Sequence, residues 1–135
     1  MKRRTFFING YNISPPPLPE RLKGIGAKEM EPAEQSLNGF LAGPVAVRKV
    51  RIAVTGHPEA PLALVVFLYD ELADGEGASP PLRGKIFWHQ KTDVAEKEIP
   101  SSLDEFLAGL PEVREIECGV VGASVHLSVM TVVLY

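Results

Sequence analysis

The sequence predicts an α+β fold, built mainly from antiparallel sheet with two helices. Two segments have the apolar spacing and end signals of helices, and six others have the alternating or short continuous apolar patterns of strands. In chain order the elements run β, α, β, β, β, α, β, β, which favours antiparallel pairing of successive strands. Without the strand at 84–91 and the final strand, the order is β-α-β-β-α-β, that of a ferredoxin-like topology. With 135 residues, a single domain over 1–135 is expected.

The N-terminal third predicts a strand, a connector and a helix. Residues 5–13 are rich in strand-forming side chains around Asn9-Gly10, so both a short hairpin and a single strand fit. Residues 14–28 are rich in proline and are expected to form an extended connector. A helix is predicted from Glu31 to Ala42, because Pro32 suits a first helical position and Gly43-Pro44 ends the pattern. Its apolar face comprises Ala33, Leu37, Phe40 and Leu41.

Residues 44–55 predict a strand whose apolar phase changes part-way. Val45 and Val47 occupy odd positions, whereas Val50, Ile52 and Val54 occupy even ones. A β-bulge at Arg48-Lys49 would insert one residue and keep both sets on one face. The continuous apolar run 62–69 predicts a central strand covered on both faces, followed by a mobile acidic and glycine-rich loop at 70–83.

The C-terminal half predicts a strand at 84–91, a second helix and a hairpin over 113–121 and 124–135. Ser102 and Glu105 form a capping box at the helix start, and Pro111 closes the helix. A two-residue turn at Gly122-Ala123 would bring the apolar residues of the two arms onto one face. The pairs expected in that register are Val120 with Val125, Cys118 with Leu127 and Ile116 with Val129. Cys118 is then expected to be a buried core residue. A single bent strand, kinked at Gly119 and Gly122, is the alternative.

Charge is distributed unevenly along the chain. Residues 1–56 contain nine basic and four acidic side chains, whereas residues 57–135 contain five basic and thirteen acidic ones. Such asymmetry fits ends that attract each other, subunits that stack basic face on acidic face, or nucleic-acid contact. A nucleic-acid-binding module would use the basic residues Arg48, Lys49, Arg51 and Lys85, with Trp88 as an aromatic platform.

Candidate catalytic residues are few. His126-x-Ser128 on a strand is a unit that some phosphoesterases use in pairs, with the imidazoles as acid and base. His89 lacks the matching hydroxyl residue. In the predicted register Glu117 lies opposite Ser128 and diagonal to His126, so these three side chains would form a polar cluster. A small hydrolase or phosphoesterase is therefore an alternative function. No spacing in the sequence predicts a metal site or a cofactor site.

The favoured functional hypothesis is a non-enzymatic protein-interaction or assembly protein. Small phage or mobile-element structural proteins and toxin-immunity proteins have this profile. The apolar end of the chain, including Val132, Leu134 and Tyr135, predicts association with a protein partner or a second copy through the C-terminal strand. Trp88 and the basic cluster Arg48, Lys49 and Arg51 are further interface candidates. The longest apolar run is far shorter than a membrane span, and the single cysteine favours a cytoplasmic location.

Overall fold

The α+β class is confirmed by a computed structural model that describes residues 1–9, 27–58, 60–73, 81–91, 101–123 and 126–135. The helices are α1 (Ala27–Leu41) and α2 (Ser101–Ala108). The strands are β1 (Lys2–Asn9), β2 (Val45–His57), β3 (Ala60–Glu71), β4 (Gly84–Lys91), β5 (Glu115–Ala123) and β6 (His126–Leu134). Residues 14–26 of the predicted connector and 74–80 of the predicted loop lie outside the described residues, as does the part of 5–13 beyond β1. Ala27 and Lys28 belong to α1, and β3 continues to Glu71.

The six described strands form two antiparallel sheets. The first sheet has the order β1-β3-β2 and the second has the order β4-β6-β5. A ferredoxin-like topology would require a C-terminal strand beside β1 in one sheet. Instead β6 lies between β4 and β5, so the C-terminal hairpin and β4 build a sheet of their own. The two sheets meet along one side, where β2 packs beside β5.

The main core lies between the inner faces of the two sheets, and α1 fills their open side. The first sheet contributes Ile8, Val50, Ala63, Val65 and Phe67, and the second contributes Ile86, Trp88, Met130, Val132 and Leu134. Leu37 and Leu41 of α1 are buried in the same cluster, and Ala33 and Phe40 pack against it. The predicted apolar face of the first helix is therefore confirmed. The helix itself begins at Ala27, four residues before the predicted start, so that Pro32 lies inside its N-terminal half.

A smaller core lies on the other face of the second sheet, beneath α2. Leu103 of α2 is buried against Phe87 and Val133, and Leu107 and Leu110 pack around them. The Phe106 ring lies 5.4 Å from that of Phe87 and 5.3 Å from that of Tyr135, in edge-on contacts. The second sheet is thus covered on both faces near β4 and β6.

The β-bulge in β2 is confirmed. The register against β3 shifts between Val47, which pairs with Tyr69, and Lys49, which pairs with Leu68. Arg48 is the inserted residue, and its Nε donates a 2.7 Å hydrogen bond to Asp70 Oδ2. Val45 and Val50 consequently both point inward and are buried, as the phase change in the sequence requires.

The C-terminal hairpin forms, but the predicted register is wrong. Ala123 pairs with His126 and Cys118 pairs with Thr131, so the connection lies two residues beyond Gly122-Ala123. In this register Leu134 pairs with Glu115 on one side and Gly84 on the other, and no apolar end overhangs the sheet. Extending the strand pairing past Gly122 is therefore favoured over a tight turn at that glycine. Gly122 takes a strand position instead, with a φ of 128°.

Cys118 is exposed, which corrects the prediction that it is a core residue. It pairs with Thr131, and its neighbour Ile116 pairs with Val133, on the face of the second sheet that α2 covers. The short helix α2 packs over Phe87 and Val133, whereas Ile116 and Val120 on β5 remain 46% and 54% exposed. The alternating residues of β5 do share one face, as predicted, but α2 does not cover that part of the sheet.

Side chains of α1 occupy the outer edge of β4. The amide group of Asn38 donates from Nδ2 to the Gly84 carbonyl at 3.0 Å and accepts from the Gly84 N–H at 2.7 Å. Two residues further along, the Ile86 N–H donates to the buried carboxylate of Glu34 at 2.8 Å. These bonds satisfy backbone groups that an exposed edge strand would offer to another chain.

Candidate interaction surfaces

Ser128 lies in the interior of the protein. Its hydroxyl is 0% exposed, accepts a hydrogen bond from Trp88 Nε1 at 3.1 Å and donates to the carbonyl of Pro58. The bond from Trp88 lies within the second sheet, whereas the bond to Pro58, which follows β2, joins Ser128 to the first sheet. Trp88 is fully buried as well, so the expected aromatic platform on the surface does not form. The pair instead satisfies two polar groups within an apolar core.

Glu117 does not contact Ser128, because the register places Val121 opposite that serine. The Glu117 carboxylate instead accepts a hydrogen bond of 2.5 Å from Arg51 on β2. This ion pair crosses the side where β2 and β5 meet. The expected polar cluster of Glu117, His126 and Ser128 is therefore not formed.

For His89 and His126 the structure describes the backbone pairing, and for His57 it also describes the side chain. His89 pairs with Val129 on β6, whereas His126 pairs with Ala123 on β5. The side chains of His89 and His126 lie outside the described residues. His57 ends β2 and is exposed. Among the described residues no group of three or more histidine, cysteine, aspartate or glutamate side chains is placed to hold a metal ion.

Three of the four basic residues predicted to bind nucleic acid take part in ion pairs within the chain. Arg48 pairs with Asp70 and Arg51 with Glu117, and Lys85 lies 4.0 Å from Glu34. The hydrogen bond from Arg48 holds the pKa of Asp70 below its usual value. In the described part of the chain Lys49 has no ion-pair partner, although it is exposed.

The C-terminal strand is not an accessible interface. Val132 and Leu134 are almost completely buried in the main core, and Tyr135 packs on Phe106. Both backbone edges of β6 are already paired, with β4 and with β5. The apolar end of the chain does need neighbours, as expected, but these neighbours belong to the same chain. Val132 and Leu134 are therefore corrected from interface candidates to core residues.

The outer face of the first sheet is an apolar surface that neither described helix covers. Four partly exposed aliphatic residues of β3 form its centre: Leu62, Leu64, Val66 and Leu68. Beside them on β1 lies Phe7, which pairs with Leu64 and is 68% exposed. Helix α1 packs on the inner side and α2 on the second sheet. The central position predicted for β3 is confirmed, but only one of its faces is covered by these elements.

Basic residues border one end of the outer face. Arg3 on β1 and Lys49 on β2 both pair with Leu68, so they flank the aliphatic row from opposite sides. Arg4 lies on the other face of β1, because it pairs with a buried core residue of β3 and its guanidinium lies 5.4 Å from the centroid of the Phe6 ring. Within the described residues no ion pair reaches Arg3, Arg4 or Lys49. The outer face is therefore apolar in its centre and positively charged at this end.

A groove of about 310 Å³ runs along the free edge of β1. Residues 5–8 of β1 form one wall and residues of α1 form the other, and Val65 and Ile86 of the main core also line the groove. Its lining is mainly apolar and it opens next to Phe7. Because β1 is paired only with β3 among the described strands, this groove lies at an unpaired strand edge next to the outer face.

These surfaces were only partly signalled by the sequence. The basic residues and the apolar run 62–69 are visible in it, but the exposure of Phe7 follows from the place of β1 at the sheet edge.

No family model, curated protein or solved structure matches this chain. No helix in the described residues has the length and apolarity needed to cross a membrane.

Proposed function

We propose that this chain is a protein-interaction or assembly protein and that the outer face of the first sheet is its binding surface. The observation that carries the proposal is the aliphatic row of β3 with Phe7 beside it, 68% exposed. Large contiguous apolar surfaces on soluble domains commonly mark interaction sites. The free thiol of Cys118 fits a reducing compartment, so the proposal includes a cytoplasmic location.

The energy available at this surface is substantial. A partner that covered the exposed two thirds of Phe7 would remove roughly 130 Å² of apolar area from water. At ~25 cal/mol per Å² this contact alone is worth about 3 kcal/mol, before the aliphatic row is counted. Aromatic anchors of this size often dominate the binding energy of an interface.

The chemistry of the outer face favours a protein partner over a nucleic acid. Phosphate backbones are bound by rows of free Lys and Arg, and bases stack on exposed aromatic rings. Arg48 and Arg51 are neutralised within the chain, and Trp88 is buried. An aliphatic centre with basic residues at one end instead complements a surface that is apolar and acidic.

Photo-crosslinking from position 7 tests the proposal. A photoreactive phenylalanine analogue replaces Phe7, and the same analogue at the exposed residue Ala42, just after α1, serves as the control. Illumination of cells that naturally contain the protein is expected to give discrete protein adducts from position 7 and none from position 42. Equal labelling from both positions, adducts with nucleic acid alone, or no adduct would overturn the proposal.

A further inference from the structure

Two exposed apolar surfaces lie on the two sheets, each on a face that points away from the main core. One is the outer face of the first sheet, with Phe7 at its edge. The other, called here the β5 patch, comprises Ile116, Cys118 and Val120. These three residues share the face of the second sheet that points away from the main core, beside α2. The two surfaces therefore lie on different sheets, each on the face that points away from the main core.

The charges that remain after internal ion pairing differ in sign between the two surfaces. Arg3 and Lys49 are exposed at the outer face and have no described ion-pair partner. On the side of the β5 patch, the exposed and similarly unpaired residues of the described chain include Asp104 and Glu105 of α2 and Glu115, which begins β5. The outer face thus combines an apolar centre with unpaired basic residues, and on the side of the β5 patch the described unpaired acidic residues outnumber the one unpaired basic residue, Arg83.

Building on the proposed function, we propose that the partner of the outer face is the β5 patch of a second copy of this chain. Contact between two outer faces would join no unpaired charges of opposite sign, and contact between two β5 patches would likewise leave the acidic groups without basic partners. The contact between unlike surfaces joins charges of opposite sign around two apolar centres. Such a contact is heterologous, so it leaves a free surface on each end and extends into a ring or an open chain.

The size of the surfaces sets the strength of this association. Three strands spaced ~4.8 Å apart, with about seven residues each at ~3.3 Å, present roughly 300 Å² in projection. This is below the area of most stable complexes, so the assembly is expected to be weak and concentration-dependent. Because part of the attraction is between surface charges, added salt is expected to reduce the mean size of the assembly.

Sedimentation velocity of two single-surface variants tests the inference. Phe7→Asp disables the outer face and Val120→Asp disables the β5 patch, and both positions are exposed enough for the fold to tolerate the change. Near-ultraviolet circular dichroism verifies that each variant is folded. The wild-type protein is expected to form species larger than a dimer, and each variant alone is expected to be a monomer. An equimolar mixture of the two variants is expected to form a dimer and nothing larger, because one intact surface remains on each partner.

A matched pair of charge reversals tests the electrostatic part of the inference. Lys49→Glu is expected to weaken the association about ten-fold. Arg83→Glu makes the same charge change at an exposed residue beside β4, on the α2 side of the second sheet, and is expected not to weaken the association because that side is already acidic. Equal weakening by both reversals would show that overall charge, and not this contact, controls association, and would overturn the inference.

Other outcomes separate this inference from the proposed function. A wild-type protein that stays monomeric at every accessible concentration overturns the contact between copies, and so does a Val120→Asp variant that still forms the wild-type assembly. If position 7 then crosslinks to a different protein, the proposed interaction function still stands. If position 7 gives no protein adduct, both proposals fail.

Discussion

Replacement of Gly119 by alanine is expected to separate β5 from β2. A Cβ atom added at Gly119 would lie 2.6 Å from the Cγ2 atom and 3.4 Å from the backbone nitrogen of Val54. Carbon atoms in ordinary contact are ~3.5–4.0 Å apart, so about 1 Å of movement is required. The nearby backbone of β2 restricts that movement, because the ion pair of Arg51 with Glu117 also joins the two strands.

The expected loss in the free energy of unfolding is about 1–2 kcal/mol. Inserting a methyl group into a filled contact costs roughly 1–3 kcal/mol. Among the described glycines, Gly56 and Gly122 have a positive φ and Gly119 does not. Alanine can therefore adopt the backbone conformation of residue 119 without strain. Alanine also lowers the conformational entropy of the unfolded chain, which offsets the cost by about 0.4–1 kcal/mol.

Urea unfolding of a double-mutant cycle measures this effect. Fluorescence of Trp88, the single tryptophan, reports the transition. Val54→Ala removes the methyl group that the new Cβ would strike, so the double variant is expected to be about 1–2 kcal/mol more stable than the sum of the single effects predicts. Additive losses, or a Gly119→Ala protein as stable as the wild type, would refute the close packing of β2 on β5.

Three further predictions concern polar contacts. Asn38→Ala is expected to cost about 1–3 kcal/mol and to speed amide hydrogen exchange at Gly84, because both hydrogen bonds between these residues are lost. Trp88→Phe is expected to cost about 1–3 kcal/mol in urea unfolding, since it leaves a cavity and removes the donor to a buried serine hydroxyl. Arg48→Met is expected to raise the pKa of Asp70 towards its ordinary 3.8 in a carboxyl NMR titration, since the hydrogen bond from Arg48 holds that pKa down. A carboxyl pKa lowered by folding stabilises the protein above pH 3.8, and this contribution is lost as the pH falls through the lowered value.

Each of these predictions has a result that contradicts it. Unchanged exchange at Gly84 would mean that the amide of Asn38 does not protect the edge of β4. A Trp88→Phe protein with wild-type stability would argue against the buried contact. An Asp70 titration that does not move in Arg48→Met would show that the bulge does not bring the guanidinium to the carboxylate.

Local features of the sequence predicted the elements and the bulge. The apolar residues of β2 shift from odd to even positions, and a single β-bulge keeps both sets on one face. Arg48 is the residue that the bulge inserts. The spacing of Leu37 and Leu41 likewise identified the buried face of α1. These predictions succeed because one face of each element is buried, so a change of phase carries a large energetic cost.

The pairing of strands and the exposure of faces were harder to predict. The alternation of apolar and polar residues along a strand indicates which side chains share a face. It does not indicate which strand pairs with it or which element covers that face. Ile116, Cys118 and Val120 share a face as expected, yet α2 is too short to cover them. The hairpin register was decided by the pairing of β6 with β4 on its other side, which the turn at Gly122-Ala123 does not reveal.

The most direct test of the contact between copies uses the single cysteine of the chain. Cys118 lies in the β5 patch, and Ala53 is an exposed residue of the outer face that pairs with Leu64. In Ala53→Cys, a short bismaleimide is expected to join the outer face of one copy to the β5 patch of the next and to produce a ladder of trimers and larger species. The wild type, and Ala53→Cys combined with Cys118→Ser, are each limited to dimers because one cysteine remains. An Ala53→Cys protein that also stops at dimers would contradict the contact between unlike surfaces.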